Sequence, residues 1–206
     1  MSNFRLCCGV VLVCVSGVLS ACAGSTPPPN PLGEARIELR QLGATRAGYP
    51  VKQVIAGISE PWGIAMLPDG SLLITEKAGG LLRYYDNILE RITGLPEVAV
   101  VGQGGLLDIL VHGEGDNNPW IYLAYSIAGK EGYTTRVSRL QLGGNRLGNS
   151  QVLFTAEPFY RQSRHFGSRL HINPEGYLYI TVGDRGNRTA AQDLRSEEHT
   201  SELQSQ

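Results

Sequence analysis

The sequence predicts an all-β fold, a β-propeller of repeated four-stranded units, and three observations carry that prediction. Glycine is abundant, 26 of 206 residues, and tyrosine is the commonest aromatic, a mixture that suits short strands joined by tight turns. No sustained helical period of apolar residues runs anywhere in the chain from residue 49 onward. A phrase also recurs: Pro68-Asp69-Gly70-Ser71-Leu72-Leu73-Ile74-Thr75 aligns with Pro174-Glu175-Gly176-Tyr177-Leu178-Tyr179-Ile180-Thr181. Anchored on Gly63, Gly105 and Gly167, the repeat steps by 42 residues (63 to 105) and then by 62 (105 to 167). The first step matches one propeller blade, and the second a blade carrying an insertion.

Ahead of the repeats, Arg5 and the apolar run 6–19 have the form of a signal peptide, expected over 1–21. The run ends in Leu19-Ser20-Ala21-Cys22, which resembles a bacterial lipobox. Cys22 is therefore expected to carry lipid and to tether the chain to the periplasmic side of a bacterial cell envelope. An uncleaved membrane anchor competes with this, but the apolar run is short for a full span. All four cysteines fall within the first 22 residues, so the mature chain keeps Cys22 alone and has no disulfide framework. Residues 23–31, AGSTPPPNP, are small, polar and proline-rich, the composition of an extended spacer. The stretch 32–48 shows no clear period and continues it, which gives 22–48 as lipidated cysteine and linker.

From residue 49 the texture changes to strands. Segment 51–55 alternates, and 61–67 and 71–76 flank Pro68-Asp69-Gly70, a strong turn signal. A third strand, 80–85, closes the first unit before Asp86-Asn87. The middle copy takes 105–111 and 120–125, with outer strands 135–142 and 151–155 about the turn Gly143-Gly144-Asn145. In the last copy the apolar strand is 177–182. The net charge of −1 supplies no basic surface, which argues against a nucleic-acid partner.

The chemistry gathers in 164–188, RHFGSRLHINPEGYLYITVGDRGNR, where polar, glycine-rich ends flank that apolar strand. Loops at a strand's ends carry function while strands hold them. His165 is the candidate base, because imidazole exchanges a proton near neutral pH. The alternative is a structural histidine bonded beneath a loop. Arg169 offers a planar fork for a carboxylate or oxyanion. Gln103, His165 and Arg185 all lie at loop–strand junctions, so one rim can collect them. Asp184 reads as a turn-forming carboxylate, and Trp62 and Trp120 as core. His112 and His171 read as strand residues, and with no second ligand at metal-like spacing no metal site is expected in this chain.

Gly102-Gln103-Gly104-Gly105-Leu106-Leu107-Asp108, His165-Phe166-Gly167-Ser168-Arg169-Leu170 and Gly183-Asp184-Arg185-Gly186 resemble signature runs of a known family. It is that of the soluble aldose sugar dehydrogenases dependent on pyrroloquinoline quinone (PQQ), which includes glucose and sorbosone dehydrogenases. The resemblance covers about 49–194 and takes in Pro61-Trp62-Gly63 and Pro68-Asp69-Gly70. It implies a six-bladed propeller, of which about the first three blades are here, with PQQ over the channel. It also implies that His165 takes the proton from the sugar's anomeric hydroxyl as hydride passes to the quinone. Gln103 matches a glutamine near the quinone, and Arg185 aligns loosely with a cofactor-proximal position. A turn residue is the alternative for Gln103, and a solvated loop arginine for Arg185.

The resemblance implies roughly twice this length, with calcium-binding loops and the remaining cofactor contacts beyond Leu194. Residues 195–206 read instead like the translation of a sequencing-adapter oligonucleotide, with a natural polar helix as the alternative. The expected whole protein oxidises aldoses to lactones and passes electrons to an external acceptor, while the truncated chain is expected to be inactive. The competing function is a non-catalytic, lipid-anchored propeller that binds without turnover.

Overall fold

The computed structural model describes residues 41–44, 49–113, 118–189, 191 and 202–204, and every described strand pairs antiparallel. Residues 1–40, with the expected signal peptide and Cys22, lie outside the described residues. A short ribbon pairs β1 (Gln41–Ala44) with β2 (Pro50–Lys52), so four residues of the expected linker and part of the expected strand 51–55 are joined.

The first four-stranded meander runs through β3 (Pro61–Met66), β4 (Leu72–Glu76), β5 (Gly80–Tyr85) and β6 (Ile88–Ile92). The sequence predicts a unit that closes at Tyr85. Asp86 and Asn87 instead turn the chain in left-handed backbone, φ 48° and 64°, and return it as β6. Asn and Asp tolerate that region better than other non-glycine residues. The second meander is β7 (Leu106–His112), β8 (Trp120–Gly129), β9 (Gly132–Gly143) and β10 (Arg146–Thr155). The third sheet orders β11 (Gly167–Ile172), β12 (Leu178–Val182) and β13 (Glu202–Gln204). β13 belongs to the segment expected to be foreign. Pairing along a strand edge uses backbone groups, which any extended segment supplies, so β13 does not speak to its origin.

The recurrent phrase folds the same way twice. Gly70 (φ 82°) and Gly176 (φ 88°) supply the left-handed turn residue. Leu67 N–H donates to Ser71 O (2.8 Å) and Asn173 N–H to Tyr177 O (3.1 Å), closing equivalent turns. The repeat also shows as a shared irregularity. Pro61, Leu106 and Gly167 each open their innermost strand opposite Glu76, Tyr125 and Val182, and each is followed by a bulge. Pairing resumes at Ile64, Ile109 and Leu170. The structural counterparts of Gly63 are therefore Asp108 and Arg169, and the three anchoring glycines are not equivalent.

The sheets stack with β3 against β7 and β7 against β11. One core lies between the first two, with Leu73, Leu81, Leu106, Ile109, Leu123 and Leu140 buried in it. A second lies between the next two, around Tyr122, Val137, Phe154, Leu170, Leu178 and Ile180. Buried polar ties cross the same seams. Thr75 Oγ1 accepts from Gly63 N–H (2.8 Å) and donates to Leu107 O (2.6 Å), and Asp108 Oδ2 accepts from Leu170 N–H (2.8 Å). Meanders stacked on their innermost strands are how propeller blades pack.

Candidate active site

The loops before β7 and β11 and after β12 meet at one rim, and His165 stands where they meet. The pair Gly167↔Val182 opens β11 and closes β12. Continuing that antiparallel register by two residues brings 165 opposite 184. The contact is made: His165 Nδ1 lies 2.7 Å from Asp184 Oδ1. Asp184 Oδ1 also accepts Gly186 N–H at 2.8 Å. That backbone bond and then the His165 bond hold the Asp184 carboxyl below the usual carboxylate range, outweighing its partial burial, with the Arg164 charge adding to them. An ionised carboxylate accepts only, so Nδ1 carries a proton, and in the neutral imidazole Nε2 is the nitrogen with the lone pair. The imidazole is about half exposed, at 49%.

The backbone of His165 is as constrained as its ring. Its φ of 56° lies in the left-handed region, uncommon for a residue with a side chain. Its N–H donates to Gln103 Oε1 (2.9 Å), and its carbonyl accepts Arg185 N–H (3.2 Å). Gly183 is required beneath it, since a Cβ there would fall 2.0 Å from His165 O. Phe166 O accepts from Thr135 Oγ1 (2.7 Å), pinning the loop to the second sheet.

The other expected residues divide. Gln103 is at the site, its own N–H donating to Ser163 O (2.8 Å), so it grips the His165 loop twice. Arg185 is adjacent in sequence but turned inward: it is 0% exposed. Its Nη1 donates to Gly183 O (2.9 Å), and its guanidinium carbon sits 5.1 Å from the Tyr160 ring centre. Arg185 thus lies beneath the loop and supports it through Gly183 O, so of the two readings the solvated loop arginine does not hold. Arg169 is drawn away to Asp108 (2.8 Å), a nearly buried carboxylate of β7. Arg164 is exposed and lies across Gly186, where a Cβ would come 2.8 Å from its Nε.

The contact of Asp184 with His165 was not expected from the sequence. The Asx-type bond of Asp184 to Gly186 N–H makes it the expected turn former, and the same oxygen also serves the histidine. The register of β11 and β12 was the signal that pairs them. His112 and His171 stand against Tyr122 and Tyr179 on their strands. Among the described residues no group of three or more His, Cys, Asp or Glu is placed to hold a metal ion.

A family model described as Glucose / Sorbosone dehydrogenase matches residues 58–200. An uncharacterized protein of Synechocystis sp. is 35% identical over 179 residues, covering 82% of this chain and 42% of that protein. An aldose sugar dehydrogenase of Escherichia coli is 32% identical over 159 residues, covering 74% of this chain and 43% of that protein. A solved structure titled glucose dehydrogenase superposes with a TM-score of 0.68 at 33% identity, covering 71% of this chain and 48% of that one. The PQQ-bound form of an aldose sugar dehydrogenase from Streptomyces coelicolor shares the fold, with a TM-score of 0.61 at 23% identity over 77% of this chain and 46% of that one. The chain thus spans less than half the length of the curated relatives it matches.

Proposed function

The chain belongs to the glucose and sorbosone dehydrogenase family, and from that premise we propose that it is part of a quinoprotein that oxidises aldoses at C1 to lactones. The observation that carries the proposal is the His165–Asp184 pair, 2.7 Å apart at an exposed rim. With Nδ1 committed to Asp184, Nε2 is the ring nitrogen left for a substrate hydroxyl. As the C1–H bond of the sugar breaks, His165 Nε2 takes the proton of the C1 hydroxyl and the C1=O bond forms. Asp184 holds the ring in the tautomer that accepts this proton and balances the imidazolium charge. Bound PQQ supplies the two-electron acceptor for the C1 hydride. The residues present fit such a polyanionic quinone. Gln103 keeps its amide N–H groups at the rim, because its oxygen is committed to a backbone donor, and Arg164 adds an exposed cation.

The proposal extends to a six-bladed ring, to calcium held by a part of the protein other than the described residues, and to an external electron acceptor. It also keeps Cys22 as a lipid anchor at the periplasmic face, checked by palmitate labelling that Cys22→Ala abolishes. Labelling that survives the substitution removes the anchor.

The main test uses the protein at the length of its relatives, reconstituted with PQQ and calcium. His165→Ala is expected to lower aldose turnover by about 10² to 10⁴, the range for a general base, while PQQ titrates almost as before. His165→Gln fills the space but takes no proton, and fails nearly as badly. Normal turnover in both variants overturns the assignment. A wild-type protein that binds PQQ and sugar without turnover supports the binding module instead.

A further inference from the structure

We propose that Gln103 is the positioning residue of the candidate base, holding His165 in its left-handed backbone through the side-chain carbonyl. The catalytic consequence rests on the dehydrogenase reading; the geometry does not. Gln103 bonds the opposite loop on both sides of Arg164, its main-chain N–H to Ser163 O (2.8 Å) and its Oε1 to His165 N–H (2.9 Å). A residue in a parallel β-bridge grips its partner strand in this pattern, with N–H to one residue and C=O from the residue two on. Here the side-chain carbonyl stands in for the backbone one. The loop before β7 therefore reads the backbone before β11 without a strand being formed.

Close packing holds the grip in place. A Cβ on Gly102 would fall 2.3 Å from Ser163 O, and one on Gly104 would fall 2.8 Å from Phe166 Cε2. The two loops touch through residues that leave no room for a side chain, and Gln103 is the one side chain between those glycines. His165 N–H is a donor, so only the amide oxygen satisfies it, which fixes the orientation of the amide. His165 is then set at three points: its backbone N–H by Gln103, its backbone C=O by Arg185 and its ring Nδ1 by Asp184. Of these, Gln103 alone comes from the neighbouring sheet. It makes the direction of the base depend on how two blades are docked.

Two variants of the 206-residue chain separate this role from simple presence at the rim. Gln103→Leu removes the acceptor, and Gln103→Glu restores one while removing the amide N–H groups. In Gln103→Leu, hydrogen exchange of the His165 amide should rise about tenfold or more, as expected when its bond is replaced by water. The ring ¹⁵N shifts should move from the Nδ1–H tautomer towards a mixture. Gln103→Glu should restore both, and the amide of Ile180 in β12 should exchange alike in all three. An unchanged His165 amide and tautomer in Gln103→Leu overturns the proposal, as does a Glu variant that behaves like Leu. A parallel assay in the complete PQQ-loaded protein reads kcat. Loss of kcat at saturating PQQ in Leu supports the proposal, and full activity in Leu overturns it. Glu is left to the NMR comparison, because its carboxylate would face the anionic quinone. A wild type with no activity sinks the dehydrogenase reading, and the NMR result still decides the role of Gln103.

Discussion

Asp184 illustrates how one side chain serves both a turn and a titration. Its carboxylate is stabilised in the folded chain by Gly186 N–H and by His165, so it holds its charge to lower pH than it does unfolded. A group with a depressed folded pKa contributes stability above its unfolded value and loses it as pH falls through the folded one. The contribution is thus present at neutral pH and is lost in the acid range below the ordinary carboxylate pKa, about 3.9. Asp184→Asn keeps an acceptor for Gly186 N–H but removes the charge. It is expected to lower the melting temperature at pH 7 and to narrow the gap from wild type as pH falls towards 2.5. Melting curves across that range check this, and a gap that widens in acid overturns it. The neighbouring glycines set the limits of this arrangement. Gly183 meets His165 O and Gly167 meets Gly183 N, at 2.0 and 2.6 Å from a would-be Cβ, so the base and its partner stand on backbone packed too closely for any other residue.

The strands show what was legible and what was not. Leu72–Glu76 and Leu178–Val182 followed from their shared phrase, because turn chemistry and strand pattern pointed the same way. Ile88–Ile92 was not expected, since Asp86-Asn87 reads as a stop as readily as a hairpin turn, and only pairing with Gly80–Tyr85 decides between them. The anchors on Gly63, Gly105 and Gly167 failed for a different reason. The bulge after Pro61, Leu106 and Gly167 sets the register of each sheet, and the residues at it, Trp62-Gly63, Leu107-Asp108 and Ser168-Arg169, share no residue type. At the equivalent site the three sheets place Gly63, Asp108 and Arg169, three chemistries at one position of the register. Asp108 and Arg169 answer each other across the second seam, while Gly63 leaves room for Thr75 to reach Leu107 O. The meeting of His165 and Gln103 at one rim was legible, because both lie in glycine-rich loops at strand junctions, and the two are joined at 2.9 Å. The burial of Arg185 was not legible, because a charged residue in a glycine-rich loop is expected outside.

The three sheets bury matching positions unevenly, and that unevenness points beyond the described residues. On β7 the positions Leu107 and Ile109 are 0% and 4% exposed, and on β11 Ser168 and Leu170 are 1% and 5%; Ile109 packs in the core shared with the first sheet and Leu170 in that shared with the second. Their counterparts on β3, Trp62 and Ile64, are 47% and 41% exposed, and Met66 on the same face is 65% exposed. The segment around Ile55 covers the farther part of that sheet, over Ile74 and Leu82, and leaves this stripe open. Covering the remaining area of three such side chains is worth on the order of 3 kcal/mol, enough to favour a further blade that packs there. In a closed ring the last blade is the one that reaches β3. Trp62 is one of only two tryptophans, so Trp120→Phe leaves it as a single reporter. In the 206-residue chain its fluorescence should be strongly quenched by acrylamide and iodide. In a chain as long as the relatives, closed into a ring, the same tryptophan should emit at shorter wavelength and resist both quenchers. Equal quenching at the two lengths would show that no blade covers β3, and the six-bladed ring would be lost with it.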